Sequence, residues 1–329
     1  MQMRICYLMM VHHKFGQALR LVRRLAGPGS SFVFHIDRAA DGRRVAAFRR
    51  ELQTLSPVVY AKSVSSAWGA FHQALAIMHC VQAAVRRMHP CDRYVLLSGQ
   101  DYPIAGRGQI VEFFAKNRDT EFIEAFPQDL TDTDAPGWSA YYRFRRYHVW
   151  LGDRRLTVPV LRKGQPPLPI FHGSTWWALT PGAMTYIAAQ FDSNWQLRRY
   201  LRSGFLVDEV YIPTLMMGSP FSSKVAGDNV TFAKWTPTSG PHPKILGIGD
   251  LEEILTSRKL FGRKFDAAVD ESVMNELDVF QEREQTIASP ARNILRIDPD
   301  REELIFRQDQ FGAWASSSPR GIAGDLEGR

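Results

Sequence analysis

Cysteine is scarce. There are three in 329 residues, Cys6, Cys80 and Cys91. Their spacing fits neither a disulfide framework nor a zinc site, and Cys6 sits in an apolar run, so buried free thiols in a reducing compartment are expected. Long hydrophobic runs are missing as well. ICYLMMV (5–11) is far short of the roughly 20 residues of a spanning helix. It also lacks a cleavage-site flank, so the stretch predicts a buried strand rather than a membrane span or a leader. No recognisable nucleic-acid motif is present, which argues against nucleic acid as a partner. An Asp-x-Asp pair at a strand end, the usual metal holder of enzymes that use nucleotide diphosphates, is also lacking. TDTDAP (131–136) and IDPD (297–300) contain the string but fall in a loop and in the tail. No internal repeat is visible.

What is present is an ordinary globular composition, 45% hydrophobic and 23% charged, with ample core for one large α/β domain or two small ones. The net charge of +7 and the pI near 9.4 favour an anionic partner. The charge is uneven. Residues 271–329 carry 7 Lys/Arg against 12 Asp/Glu, a net of −5, so residues 1–270 hold +12. The basic field therefore belongs to the body, and a phosphorylated ligand in a pocket fits it better than a long polyanion.

Along the chain, apolar strands at 5–11, 30–37, 57–61 and 92–104 alternate with amphipathic helices, of which AWGAFHQALAIMHCVQAAVRRMHP (67–90) is the longest. That rhythm predicts a mostly parallel sheet with helices on both faces. After residue 120 it breaks. TEFIEAF (120–126) and STWWALT (174–180) read as strands. They flank the long aromatic and basic stretch GWSAYYRFRRYHVWLGDRRL (137–156) and the Pro-rich GQPPLPIFHG (164–173). Loops of such length are usually functional or mobile. The body is expected to span 1–268. A C-terminal helix and a polar tail, a candidate for partial disorder, follow over 269–329.

Ligands of open α/β sheets bind outside the carboxyl ends of the strands. Three of those ends carry polar groups: His12-His13, His35-x-Asp37 and Ser98-Gly99-Gln100-Asp101. Each alone fits a turn or a helix cap, and together they suggest one crevice. A second cluster is acidic. Asp208-Glu209 stands at a helix start, where one carboxylate can cap and the other can act as a base. We expect Asp208 to cap and Glu209 to be the base. A third cluster is basic. His242-Pro243-Lys244 and Arg263-Lys264 are either solvated surface charge or a diphosphate clamp replacing a metal. Trp176 and Trp177, adjacent on a predicted strand, should point to opposite faces, one into the core and one towards a ligand. The Gly-Ser-Thr turn before them would let backbone approach a sugar closely.

Several stretches, in this order, resemble the core-2/I-branching β-1,6-N-acetylglucosaminyltransferase family, which also contains protein O-xylosyltransferases. They are MMVHHKFGQALRLVRRLAGPGSSFVFHIDRAADG, AWGAFHQALAIMHCVQAA, YVLLSGQDYPI, HGSTWWALT, VDEVYIPTLM and HPKILGIGDLEEILTSRKLFGRKFD, and they cover about residues 4–266. The resemblance implies a GT-A-type α/β fold and inverting sugar transfer from a UDP-sugar to a glycan hydroxyl, with no essential metal or other cofactor. By the same resemblance Glu209 is the base, Lys244 and Lys264 clamp the diphosphate, and Asp37 lies near the uridine. His12, Trp68, Asp101 and Arg263 join them on the donor side. Glu124, Arg143, Trp176, Trp177 and Trp235 fall on the acceptor side. Two positions depart from the pattern. Ala140 stands where branching enzymes have a further acceptor Lys, and Thr175 where the xylosyltransferases have Asp after Gly-Ser. The cysteines and the membrane anchor of the animal enzymes are missing, so a bacterial-type, cytoplasmic protein is expected, with association at a membrane surface left open. The expected product is a β-1,6-linked GlcNAc. The alternatives are xylose transfer and a catalytically idle UDP-sugar-binding domain.

Overall fold

The computed structural model describes residues 3–286 apart from 132–138, 153, 163 and 238. Its first half is the expected alternation: β1 (Ile5–Val11), α1 (Phe15–Leu25), β2 (Ser30–Ile36), α2 (Gly42–Leu52), β3 (Val58–Tyr60), α3 (Phe71–Arg87) and β4 (Arg93–Ser98). Next come β5 (Tyr102–Pro103), α4 (Arg107–Lys116), β6 (Phe126–Pro127), α5 (Ala140–Arg145) and a hairpin, β7 (Arg146–Leu151) and β8 (Arg154–Leu161). The second half holds β9 (Phe171–His172), β10 (Ala178–Leu179), α6 (Pro181–Ser193), α7 (Trp195–Leu201), a 3₁₀ turn at Val207–Glu209, and α8 (Tyr211–Met217). It closes with β11 (Thr231–Ala233), α9 (Leu251–Thr256), β12 (Phe261–Arg263) and α10 (Ser272–Thr286).

The central sheet runs β10-β4-β1-β2-β3. Four of its strands are parallel, and β10 pairs antiparallel with β4 at the edge. The residues explain this directly. β2 is buried at every position and β1 at all but Met10, as strands covered on both faces must be. Their side chains alternate between two cores. Cys6, Leu8 and Val33 join the core built on α3, α6 and α8. Ile5, Tyr7, Met9, Phe32 and Phe34 join the core built on α1, α2 and α4. The three cysteines are buried free thiols. Among the described residues, no helix is long and apolar enough to cross a membrane.

Two strand expectations shrink. Within 120–126 only isolated bridges at Glu121 and Phe122 form before β6. The Trp-containing strand is reduced to Ala178–Leu179, leaving Trp176 and Trp177 before it. The reason is tertiary: Arg93 is fully buried at this edge, and its guanidinium donates to the carbonyls of Asn117, Arg118, Thr120 and Ala178. The carbonyls of Asn117, Arg118 and Thr120 thus serve a side chain, while Ala178 O also accepts from Phe122 N in the single bridge formed there.

The C-terminal helix assigned beyond residue 268 lies on the body's own core. Val273, Met274 and Leu277 of α10 are fully buried there. Arg20 of α1 holds Asp278 and Glu271 at 2.8 and 3.0 Å, and Tyr102 donates to Asp278 at 2.7 Å.

Candidate active site

The carboxyl ends of β1, β2 and β4 meet in one row. Asp37 N donates to Val11 O at 2.9 Å, and Gly99 N donates to Met10 O at 3.0 Å. This sets His12, Asp37 and the Ser98–Asp101 turn side by side. The His35-x-Asp37 pair fastens the following loop. His35 Nε2 accepts from Val64 N, and Asp37 accepts from the amide and hydroxyl of Ser66 as well as from Ala39 N. Burial pushes the His35 imidazole down to about 4, which keeps Nε2 an acceptor at neutral pH. The fastened loop presents Trp68, 41% exposed, with its ring edge against Phe205 at 5.3 Å and His242 at 5.6 Å. Gly69 next to it adopts φ +71, and a Cβ there would lie 2.3 Å from the Phe205 ring. Leu206 N donates to Gly69 O at 2.8 Å. The Trp68 loop is thereby tied to the segment that carries Asp208 and Glu209.

Asp101 is fully buried. It accepts from Ser98 N and Ser98 Oγ, and it pairs with Arg263 Nε at 3.4 Å. It closes its own turn and steadies Arg263 rather than facing an open crevice. Lys264 follows Arg263 at the end of β12. Among the described residues its ammonium has no hydrogen-bond or ion-pair partner. Desolvation, then the charges of Arg263 and Lys14, push it below the usual lysine value. Lys14 itself pairs with Asp266. The neighbourhood thus holds more positive charge than it neutralises internally. His12, also lowered by desolvation and by Lys264 and Lys14, lies within the field of Asp37. Lys244 is placed differently from the expectation. Its ammonium contacts both oxygens of the buried Asp250 at 2.7 and 2.8 Å, where Lys234 pairs as well. The Gly247 amide, Lys244 and Lys234 overcome desolvation and hold that carboxyl at about 2. As it stands, Lys244 is half of an ion pair, not a free phosphate ligand. Trp235 stands exposed beside this strand end.

The second cluster centres on the 3₁₀ turn. Glu209 Oε2 accepts from Arg143 Nη1 and from His172 Nε2, each at 3.0 Å. Its other oxygen makes no hydrogen bond among the described residues, and the side chain is 29% exposed. Burial pushes Glu209 up, but the His172 hydrogen bond and the Arg143 guanidinium outweigh it and hold the carboxyl below its usual value. Burial and Arg143 also push His172 down. Arg143 and His172 together hold Glu209 in its ionised form. Asp208 behaves oppositely. Burial, then the Glu209 charge, lift it to about 7. It accepts from Thr175 Oγ1 at 3.0 Å, while its buried Oδ1 has no hydrogen-bond partner among the described residues. Two adjacent carboxyls pushed apart in this way are a frequent mark of acid–base chemistry.

Asp208 does not cap a helix. The positions preceding the 3₁₀ turn and α8 are Leu206 and Val210, neither of which makes a side-chain cap. Its carboxyl turns inward to Thr175 instead. The Trp pair is corrected as well. Trp177 is 1% exposed and Trp176 9%. Trp176 is covered by Arg263, whose guanidinium carbon lies 4.2 Å from the ring centroid, a cation–π contact. Neither ring is open to a sugar. Gly173 also answers to the protein: a Cβ there would lie 2.0 Å from the carbonyl oxygen of Glu124. Glu124 accepts from Ser174 N and from Asn229 Nδ2, so both its oxygens shape this turn. Arg143 is 5% exposed and committed to Glu209. The residue that sequence reasoning left unassigned is His172. It lies next to the Gly-Ser pair, but its partner is 37 positions away, and no local pattern marks that contact. Both Asp-x-Asp strings reach into residues outside those described.

The raised Asp208 gives a prediction. An acid whose folded pKa is raised binds its proton more tightly folded than unfolded. Its contribution to stability is full below the ordinary value of 3.8 and is lost as pH climbs through about 7. Asp208→Asn cannot ionise. It should melt progressively later than wild type as pH rises from about 4 to about 8, the gap closing towards acid. Thermal melts over that range check this, and a pH-independent gap would contradict it.

Comparison with known proteins places the chain. Residues 5–257 match the family model "Core-2/I-Branching enzyme". A xylosyltransferase of Ciona intestinalis is 24% identical over 84% of this chain and 34% of that protein. Xylosyltransferase 2 of Bos taurus is 24% identical over 84% and 33%, and xylosyltransferase 1 of Mus musculus 21% over 84% and 30%. The chain spans about a third of the length of these relatives. A solved structure of mouse xyloside xylosyltransferase 1 overlaps with a TM-score of 0.31 and 17% identity over 66% of this chain and 83% of that one, too loose an overlap to argue from. The family model covers well over half of the sequence and includes every strand of the central sheet: the chain belongs to the Core-2/I-branching enzyme family.

Proposed function

We propose that this protein is an inverting, metal-independent glycosyltransferase of GT-A type that moves a sugar from a UDP-sugar to a glycan hydroxyl. The observation that carries the reading is the state of Glu209. One of its oxygens is fixed by Arg143 and His172, the other makes no hydrogen bond among the described residues, and the carboxyl is held below its usual value. It is an oriented, ionised base with one open lone-pair site. In the proposed step the acceptor oxygen forms a bond to the anomeric carbon and its proton passes to Glu209. The bond from that carbon to the diphosphate breaks on the opposite face, and UDP leaves with the electron pair. Lys264, which has no partner among the described residues, would meet the charge that develops on UDP. Cationic side chains take the part that a metal plays elsewhere.

For the sugar we propose GlcNAc in β-1,6 linkage, with a bacterial-type, cytoplasmic setting. Xylose, the sugar in the relatives' names, is the alternative. Thr175, bonded to Asp208, stands where the resemblance gives that branch an acidic residue.

The test is a panel of UDP-sugars, with UDP release followed in the presence of EDTA. UDP-GlcNAc should be turned over fastest, and EDTA should leave most of the rate intact. Loss of activity in EDTA with rescue by Mn²⁺ would overturn the cationic model. Binding without turnover of any UDP-sugar, with or without acceptors, would leave a binding domain.

A further inference from the structure

The β7–β8 hairpin has two unlike faces. Its register pairs Tyr147 with Val158, Val149 with Leu156 and Leu151 with Arg154 on one face, and His148 with Thr157 and Trp150 with Arg155 on the other. The second face is the anchored one. His148 Nε2 meets Tyr142 O at 3.0 Å, Trp150 Nε1 donates to Trp68 O at 3.3 Å, and the Arg155 guanidinium carbon lies 3.5 Å from the Phe205 ring centroid. The first face carries large apolar side chains in solvent: Tyr147, Val149, Leu151 and Leu156 are 39 to 65% exposed. A contiguous exposed patch of this kind marks an interaction surface.

Its charge says what kind. By sequence, residues 145–163 hold six Lys/Arg against a single acid, Asp153; Arg155 turns inward onto Phe205 and Arg162 is buried, which leaves Arg145, Arg146 and Arg154 beside the outer face. Arg154 sits at the hairpin tip on the apolar face, while Arg145 and Arg146 flank its base. Ser203 O accepts from His148 N at 2.9 Å, which brings the end of α7, with the exposed Arg199 and Arg202, to the same base. Two copies of this chain meeting through the patch would set arginines against arginines in either orientation, a repulsive arrangement. A surface that is apolar within and negative at its boundary meets both features at once. An anionic phospholipid bilayer has that construction.

We propose that the outer face of the β7–β8 hairpin docks the protein on an anionic membrane surface, Val149, Leu151 and Leu156 entering the headgroup boundary and Arg154 lying among the lipid phosphates. The inner face of the same hairpin rests on Trp68 and Phe205, so docking would hold the crevice next to the bilayer. This inference stands independently of the UDP-sugar reading.

The experiment is co-sedimentation of the full chain with vesicles of phosphatidylcholine alone and of phosphatidylcholine mixed with phosphatidylglycerol. Wild type should partition onto the mixed vesicles, weakly onto the neutral ones, and less as salt is raised. V149S/L156S should reduce partitioning about tenfold or more, and Arg154→Glu should also reduce it. Melting temperature and UDP affinity should be unchanged in these variants, because the residues lie outside the crevice. Wild type remaining in the supernatant with both vesicles would overturn the proposal. So would equal binding to neutral and anionic vesicles, or variants that sediment like wild type. A wild-type dimer that the double variant converts to monomer, with no vesicle binding, would assign the face to a second copy of the chain.

Discussion

Glu209→Gln is expected to lower transfer by about 10²-fold or more, the usual size of general-base catalysis, with UDP affinity unchanged. The glutamine keeps the shape and a carbonyl acceptor for Arg143 and His172 but cannot take the acceptor's proton. Folding should also feel the change. Arg143 is buried and loses its charged partner. Removing one member of a well-buried pair costs about 3–5 kcal/mol. Here the neutral acceptor remains and Glu209 is partly open, so about 1–2 kcal/mol is expected. The kinetic and stability effects separate cleanly: turnover of the folded protein falls while circular dichroism stays native. A variant that melts early yet turns over normally per folded molecule would make Glu209 a strut for Arg143, not a base. Asp208→Asn is the control. Its carboxyl is turned to Thr175, so it should retain turnover.

Lys264→Ala should weaken UDP binding by about 10- to 100-fold, the loss of one charge-assisted contact worth roughly 1.5–3 kcal/mol. Lys244→Ala should weaken it much less and show a small drop in melting temperature instead. Its ammonium is already spent on Asp250, and that carboxyl would keep Lys234 and the Gly247 amide. Calorimetric titration of UDP into both variants gives the order. If Lys244→Ala is the weaker binder, Lys244 leaves Asp250 when the diphosphate arrives, and the two lysines act as a clamp after all.

The sheet could be read from the sequence because its signal is local. The continuous apolar run at 5–11 has no other home than a strand covered on both faces, and the β-rich Phe32-Val33-Phe34 follows it after one helix. Parallel pairing then brings their carboxyl ends together, so a row of His12, Asp37 and the Ser98–Asp101 turn follows from topology alone. The acidic pair was visible for a similar reason, two carboxylates beside a turn. What escaped are the partners. From sequence Lys244 reads as surface charge or a diphosphate clamp, because Asp250 lies six residues on, across a turn with no periodicity. One ring of the Trp176–Trp177 pair reads as a sugar platform because alternation sees strand faces and not the Arg263 that covers Trp176. Gly173 was read as room for a ligand, whereas the backbone of Glu124 occupies that space. Asp208 was read as a cap from its place before a helix, but the 3₁₀ turn aims it at Thr175. In each case a long-range contact replaced the short-range role that composition suggests, and such contacts leave no mark in spacing.

The most direct test is proton NMR of a reaction containing the purified protein, an α-linked UDP-sugar and a set of oligosaccharide acceptors, read at the anomeric signals from the first minutes. A base on the face opposite UDP predicts that the new glycosidic signal is β from its first appearance, rising as UDP is released and absent with Glu209→Gln. A product that forms with the α configuration, or a β product made equally well by Glu209→Gln, would contradict the assignment of Glu209 as the base of an inverting transfer.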